Sequence, residues 1–529
     1  MKILTAEQMN EVDRATTDAY RVPSILLMEN AGRSVADCLE RACPGLQRKR
    51  IYILCGKGNN GGDGFVVSRY LSLRGCKPEV LLFADPSQLR GDALANFEMA
   101  RAFKVPIRTF PGSREGRAFL KKAATPDVVI DALFGTGLSK PLGRDFKPVI
   151  DWINSAAERA YIASVDIPSG LFANSGTLPG PAVHADMTVT FTALKPALVF
   201  PPASACAGKV TVVSIGSPMA LLENPEYQME LLDRQSVRPA LPPRPRESHK
   251  GSYGHLFILA GSRGKSGAAL MTGLAALRSG AGLVTLILPQ SLQRSIAGKI
   301  PELMTEFIPE TPQGSPDISA AVQVMALVRG ADALVLGPGL TTAESTQALV
   351  RDLVARARVP IVLDADGINA FASHPEMIRN ENNSPIVITP HPGEMARLLG
   401  VSISAVQKRR IEVARETSVK YSLCTILKGH QTVISSPSGQ ILINSTGNPG
   451  MATGGSGDIL SGMVGCFAGK WARRGGKDEH GLMTYLAAAV FLHGLAGDIA
   501  AQQKTEESLI ATDLLPKIPD AFRQVVEAE

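Results

Sequence analysis

Cysteine is scarce and unpatterned in this chain. Seven occur in 529 residues, at positions 38, 43, 55, 76, 206, 424 and 466, with no CxxC pair. That odd, scattered set excludes a disulfide framework and fits reduced thiols in a cytoplasmic protein. A strong charge of one sign is also missing. A net charge of +6 is small for this length, and the one basic cluster, Arg48-Lys49-Arg50, reads as a solvated helix end. No nucleic-acid surface is expected. No apolar run is expected to reach the length of a membrane span, and the opening MKILTAEQMNEVDR brings acids too early for a signal peptide. No cluster of metal ligands stands out, and no internal repeat relates the two halves. What is present is ordinary for a globular protein: 45% hydrophobic and 20% charged residues, in a chain too long for one core. Two domains or more are expected.

The chain then alternates between helical and strand patterns. Thr5 and Gln8 have capping-box spacing and predict a helix to about Ala19. Ser24 opens a second, with Leu27, Ala31, Val35 and Leu39 on one face. Ile51–Cys55 predicts a buried strand, followed by the glycine-rich Gly56–Gly64 and a helix. Strand, glycine loop, helix is the context of a phosphate site, although Asn59, Asn60 and Asp63 also suit plain turn chemistry. Further strands are expected at 79–83, 127–134, 160–165 and 187–192. Polar residues gather at their carboxyl ends, where open parallel sheets bind ligands: Asn59, Asn60, Asp63, Asp131, Asp166, Ser169 and Lys195.

NNGGDG, DALFGTGLSKPL, VDIPSGL and FTALKPA, in this order over residues 1–225, resemble the NAD(P)H-hydrate epimerase family. The resemblance implies a Rossmann-like three-layer α/β sandwich. It implies that Asn59, Asn60, Gly61, Gly62 and Asp63, with Gly135, Thr136, Gly137, Leu138, Ser139, Lys140 and Pro141, bind the hydrated dinucleotide. It implies a potassium ion on Asn60, Asp131 and Ser169. Asp166 would contact the damaged nicotinamide ring as acid and base, and Lys195 would act in catalysis or as cationic support. One carboxylate that gives and takes a proton fits inversion at the ring carbon bearing the hydroxyl, a contribution of about 10²–10⁴ in rate.

Residues 226–250 include PALPPRPR, proline-rich and without periodicity, and are expected to form an extended linker. A second α/β domain is expected over 251–529. Strands are predicted at 255–260, 283–288, 331–336, 361–363, 386–388, 425–427 and 441–444, again with polar strand ends. His391 sits between two prolines in a rigid turn, and Lys428 at a buried strand end must meet an anion or reach water. Asn448–Asp458, NPGMATGGSGD, precedes an apolar helical run. Its small residues can turn backbone N–H groups toward an anion, with Asp458 placed to take a proton from a hydroxyl. A flexible glycine loop is the alternative reading.

GSRGKSGAALMTGLAALRSGAGLVT, LGPGL, LDADGIN, ITPHPGEMARLLG, LKGHQTVI and NPGMATGGSGDILSG, in order over 245–525, are similar to the ribokinase-like NAD(P)H-hydrate dehydratases. By that resemblance Ala269 (or its neighbour Ala268), Gly339, His391 and Asp458 contact the hydrated dinucleotide. Lys428, Gly429, His430, Gln431, Thr432 and Gly457 contact ADP or ATP, with magnesium on the nucleotide. The implied chemistry moves a phosphoryl group to the ring hydroxyl and eliminates phosphate. The implied whole is a bifunctional repair enzyme of cytoplasmic location, a homo-oligomer acting on NADHX and NADPHX. A plain ribokinase-like kinase would share TGGSGD but leave the first half unexplained. A non-catalytic scaffold would have no need of Asn59, Asn60, Asp131, Asp166 and Ser169 together.

Overall fold

The structure is a computed structural model and describes residues 1–111 and 113–527. It divides into two compact units, Met1–Tyr227 and Gln228–Glu529.

In the first unit the helix Ala6–Asp18 carries the expected capping box. Thr5 Oγ1 accepts from Gln8 N (3.3 Å) and Gln8 Oε1 accepts from Thr5 N (3.0 Å). The helix Ser24–Ala42 buries Leu27, Ala31, Val35 and Leu39. Seven parallel strands follow: β1 (Ile51–Cys55), β2 (Pro78–Leu82), β3 (Ile107–Thr109), β4 (Val128–Ala132), β5 (Tyr161–Val165), β6 (Met187–Phe191) and β7 (Lys209–Val213). They lie in the order β3-β2-β1-β4-β5-β6-β7. Alternate β1 residues enter two separate cores, Ile51, Ile53 and Cys55 on one face and Tyr52 and Leu54 on the other. A sheet covered on both faces needs near-continuous apolar strands, which is why β1 and β4 are buried throughout. Helix Asn59–Leu73 begins inside the expected glycine loop. The glycines allow this: a Cβ on Gly61 would stand 2.0 Å from Gly56 O, and one on Gly64 2.6 Å from Cys55 Sγ.

The second unit holds ten strands. They are β8 (Met229–Leu231), β9 (His255–Leu259), β10 (Leu283–Pro289), β11 (Met304–Ile308), β12 (Ala333–Leu336), β13 (Ile361–Leu363), β14 (Ile386–Ile388), β15 (Cys424–Leu427), β16 (Val433–Ser435) and β17 (Ile441–Ile443). Their order is β11-β10-β9-β12-β13-β14-β15-β16-β17-β8. Pairing is antiparallel only at β15–β16 and β16–β17 among the described residues.

Two sequence expectations change here. Residues 226–250 are not a free linker. β8 pairs in parallel with β17, the short helix Arg234–Val237 follows, and Leu232, Val237 and Ala240 are buried in the second core. Three apolar anchors and one strand pairing outweigh the proline content. Secondly, the helix Glu479–Lys504 is long and apolar enough to cross a membrane, with 83% of its apolar window buried inside the unit. Leu486, Val490 and Phe491 pack in the core, so this apolar run is a central helix of the unit.

Candidate functional site

In each sheet the strand order reverses beside one central strand, at β1/β4 and at β9/β12. The crevice beyond the carboxyl ends at such a point is where open α/β sheets bind ligands. The expected residues of each half converge on that edge.

At the first edge, Asp131 is the last residue but one of β4 and is fully buried. Its Oδ1 accepts from Ser169 Oγ (2.6 Å), and its Oδ2 accepts from Ser169 N (2.8 Å) and Ser164 Oγ (3.0 Å). Burial pushes its pKa up, against the pull of those bonds. No ion pair to Asp131 occurs among the described residues. Ser169 also accepts from Phe134 N (2.9 Å), which ties the β5 end to the β4 end. Asn60 lies against Gly135, with its Oδ1 3.2 Å from where a Gly135 Cβ would stand. Its Nδ2 is buried without a partner. Asn59, Gly137, Ser139, Lys140 and Pro141 are exposed, while Thr136 and Leu138 are half-buried.

Asp166 follows β5 with φ +62°, a conformation that non-glycine residues rarely hold. Its Oδ1 accepts from Lys195 Nζ (2.6 Å) and Thr190 Oγ1 (3.0 Å). Lys195 is 1% exposed and also donates to Thr190 Oγ1 (2.8 Å) and Phe191 O (3.0 Å). This is a closed buried pair with every lysine proton placed. Two further carboxyls share its field. Burial pushes the Asp63 carboxyl well above its ordinary range, with Asp166 and Asp13 adding repulsion and Lys195 opposing. Asp13 is pushed to about 6, chiefly by burial, with Lys195 opposing and Asp166 adding, and its Oδ1 is buried without a partner. Asp13 reaches the site from the first helix, which Leu4 N pins to Leu194 O (2.8 Å) beside Lys195.

At the second edge Lys428 directly follows β15. Its Nζ bonds Asp364 Oδ1 (2.7 Å) and lies 3.7 Å from Glu394 Oε2. Burial presses the ammonium pKa down, but Asp364, Glu394 and more weakly Asp458 outweigh that and hold it above the usual lysine range. Asp364 is locked by Thr389 Oγ1 (2.8 Å) and Ser461 Oγ (2.6 Å). Asp458 lies in the first turn of the helix Ser456–Arg473, half-buried, with its pKa pushed to about 6, first by burial and then by Asp364. Lys428 Nζ would be 3.3 Å from a Cβ on Gly457. Beneath the turn, the buried His493 is held neutral at neutral pH, its pKa pressed to about 4 by burial, and its Nε2 donates to Ser456 O (3.0 Å).

His391 caps the helix Pro392–Leu399. Its Nδ1 accepts from Gly393 N (3.0 Å) and Glu394 N (3.4 Å), which leaves Nε2 3.4 Å from Glu394 Oε1. Its ring is half exposed, so capping and ligand contact are compatible. Gly339 takes φ +68°, and a Cβ there would meet Ala268 Cβ at 3.1 Å. Ala269 is 0% exposed and lies beside Gly261, while the half-buried Ala268 lies beside Gly339. The segment Lys428–Thr432 is held by a residue without any motif. Arg410, opening the helix Arg410–Tyr421, donates to His430 O and, at 3.3, 3.4 and 3.5 Å, to Leu427 O, Lys428 O and Gln431 O.

A family model described as NAD(P)H-hydrate dehydratase matches residues 256–520, and one described as YjeF-related protein N-terminus matches 24–197. The bifunctional NAD(P)H-hydrate repair enzyme of Moorella thermoacetica is 40% identical over 530 residues, taking in 100% of this chain and 98% of that protein. Its namesake in Thermofilum pendens is 37% identical, over 100% of this chain and 97% of that one. A solved structure of the ADP/ATP-dependent NAD(P)H-hydrate dehydratase from Bacillus subtilis is 32% identical, covers 55% of this chain and 97% of its own, and has a TM-score of 0.48.

Proposed function

The chain belongs to the bifunctional NAD(P)H-hydrate repair enzymes, and on that premise we propose how its two units divide the chemistry. The first unit interconverts the two epimers of the hydrated dinucleotide. The second, ribokinase-like unit dehydrates one of them, with ADP or ATP as phosphoryl donor.

In the first unit Asp166 gives and takes the proton that lets the hydroxyl-bearing ring carbon lose and regain its configuration, held in register by Lys195 and Thr190. Asn59–Asp63 and Gly135–Pro141 grip the phosphates and body of the substrate, which supplies the positioning. Asn60, Asp131 and Ser169 suit a hard cation, because Asp131 is a fully buried carboxylate paired only with hydroxyls and amides in its hydrogen bonds. Potassium bound there would supply the missing positive charge.

In the second unit Asp458 takes the hydroxyl proton as the oxygen attacks the terminal phosphorus, whose bond to the bridging oxygen breaks to release AMP from ADP or ADP from ATP. The C–O bond then breaks with phosphate as leaving group, the neighbouring ring carbon loses a proton, and the dihydronicotinamide is restored. Lys428 and the amides before Gly457 stabilise the charge on the transferring group. Lys428–Thr432 and Gly457 bind the nucleotide, and Ala268, Gly339 and His391 flank the hydrated ring. Magnesium would come with the nucleotide, held by its phosphates and by water. The observation that carries this reading is Asp458, raised to about 6, in an open helix turn beside Lys428. A base near the working pH is what proton abstraction from a hydroxyl needs. The seven unpaired cysteines support a cytoplasmic location, and broad α/β surfaces support a homo-oligomer.

The test uses both epimers and follows recovery of reduced nicotinamide absorbance together with epimer exchange. Asp458→Ala is expected to lower dehydration by about 10²–10⁴ and spare exchange. Asp166→Ala is expected to do the reverse. A folded variant that loses both activities would overturn the division.

A further inference from the structure

The second unit has a cavity of about 620 Å³ at the amino ends of its strands, the side away from Lys428 and Gly457. It forms where Lys250–Tyr253 leads into β9 and residues 278–280 lead toward β10. Arg238, Arg244, Arg278, Lys470 and Arg474 line it, and no carboxylate is among its lining residues.

Helix capping accounts for two of these cations. Lys470 Nζ donates to Ser279 O (2.5 Å) and Arg244 Nη2 to Gly280 O (2.9 Å), at the end of the helix Ser266–Arg278. Arg474 donates to Tyr485 Oη (3.2 Å), and the exposed Arg278 adds a further cation to the same wall. Their crowding is visible at Lys470, whose pKa is lowered first by burial and then by Arg244 and Arg474. Cations gathered in a recess whose lining holds no carboxylate are relieved by an anion.

Size and walls narrow the anion. A bare phosphate would leave most of this volume empty, whereas the volume falls in the range of small-molecule pockets. Aromatic surface is present: the Arg244 guanidinium lies 3.8 Å from the Tyr253 ring centroid, and Phe522 and Leu241 form apolar wall. A stacked guanidinium offers a plane on which a base can lie. We propose that this cavity is a second nucleotide-binding site, distinct from the phosphoryl-donor site, which takes a nucleoside diphosphate with its phosphates toward Arg278, Lys470 and Arg474.

Equilibrium dialysis of the full chain with ADP tests it, comparing the wild type with Arg278→Glu/Arg474→Glu. Both side chains are exposed, so both activities should persist and report the fold. The variant is expected to bind one ADP fewer per chain, or to bind that one at least about tenfold more weakly. Should charge reversal lower Tm, Arg278→Gln/Arg474→Gln gives the same readout with a smaller shift. Equal stoichiometry and affinity in wild type and variants would overturn the site. Pyrophosphate binding there as tightly as ADP would overturn its assignment to a nucleotide. Because only the difference between wild type and variant is read, a wrong donor site in the other crevice would leave the result intact.

Discussion

A Cβ added to Gly61 would stand 2.0 Å from the carbonyl oxygen of Gly56, whereas one added to Gly454 would meet nothing within 4 Å. Gly56 itself would clash with Leu133 O at 2.0 Å, while Gly457 would meet only Lys428 Nζ at 3.3 Å. Both stretches are glycine-rich openings of a helix at a sheet's carboxyl edge. In the first, glycine lets backbone touch backbone and lowers the helix Asn59–Leu73 onto β1 and β4. In the second, Gly450 and Gly455 pack closely, each 2.6 Å from Glu506 O or Met271 Cε by the same measure, while Gly454 and Gly457 leave space in front of a helix turn. The lysines repeat the contrast. Lys195 closes directly on Asp166, but Lys428 is taken up by Asp364 and Glu394, and no ion pair joins it to Asp458 among the described residues. A glycine motif thus reports close approach without saying whether chain or ligand approaches.

Gly61→Ala should break the first stretch most severely. The obstacle is a carbonyl of the same tight turn, so the backbone itself must move, at roughly 1–3 kcal/mol or more. Thermal denaturation should show the first unit melting several degrees lower, about 2–4 °C per kcal/mol for a domain of this size. Epimer exchange should fall while dehydration persists. An unchanged Tm would mean that the close packing at Gly61 is not what holds the helix.

Arg410→Gln sharpens the second side of the comparison. Removing the guanidinium frees the carbonyls of 427, 428, 430 and 431 at once. The loss of charge-assisted bonds worth roughly 1.5–3 kcal/mol should appear as a tenfold or greater rise in KM for the nucleotide, by the usual conversion of about 1.4 kcal/mol per decade. A kcat near wild type would mark Arg410 as a positioning residue. Arg410→Lys, with one point charge for a fork, should recover part of the KM. A fall confined to kcat would place Arg410 elsewhere in the mechanism.

The same contrast explains what could be read from the sequence. Central strands were legible, β1, β13 and β14 to the residue, because burial on both faces demands apolar runs. The strands that were not legible are the edges β3, β7, β8 and β11 and the hairpin strand β16. An edge strand needs no such run: β7 is exposed or half-buried throughout, and β8 exists through its pairing with β17. Strand-end residues such as Asp131, Asp166 and Lys428 stood out because polar groups follow apolar runs there. Asp13 did not, since it reaches the site from a helix far up the chain. Arg410 did not, since donating to carbonyls leaves no motif. Ala268 and Ala269 differ by one residue on a helix, a rotation of about 100° that only packing resolves.

Asp458 gives a smaller effect with a definite sign. Its folded pKa of about 6 lies above the ordinary aspartate value of 3.8. The folded state therefore binds this proton more tightly than the unfolded chain does. The stability it contributes is complete below the ordinary carboxylate range and is lost as pH rises through about 6. Asp458→Asn cannot ionise, so its Tm advantage over wild type should grow from about pH 4 to about pH 8. Wild-type dehydration should fall as pH drops through about 6, because the base must be unprotonated to accept a proton. A Tm difference that does not change with pH would mean that Asp458 titrates like an exposed aspartate and is not the poised base.

The smallest effect separates the two glycine stretches most cleanly. Gly457 is helical and its neighbourhood is open but for Lys428 Nζ at 3.3 Å. Alanine there loses less backbone entropy on folding than glycine, a gain of up to about 1 kcal/mol. The lysine end can shift by a few tenths of an ångström. Gly457→Ala should therefore leave Tm unchanged or raise it slightly, the opposite of Gly61→Ala. The added methyl nevertheless occupies the space in front of the helix turn, so KM for the nucleotide should rise several-fold. A variant both more stable and unaltered in KM would show that no ligand oxygen comes close to Gly457, and the two glycine stretches would then differ in packing alone.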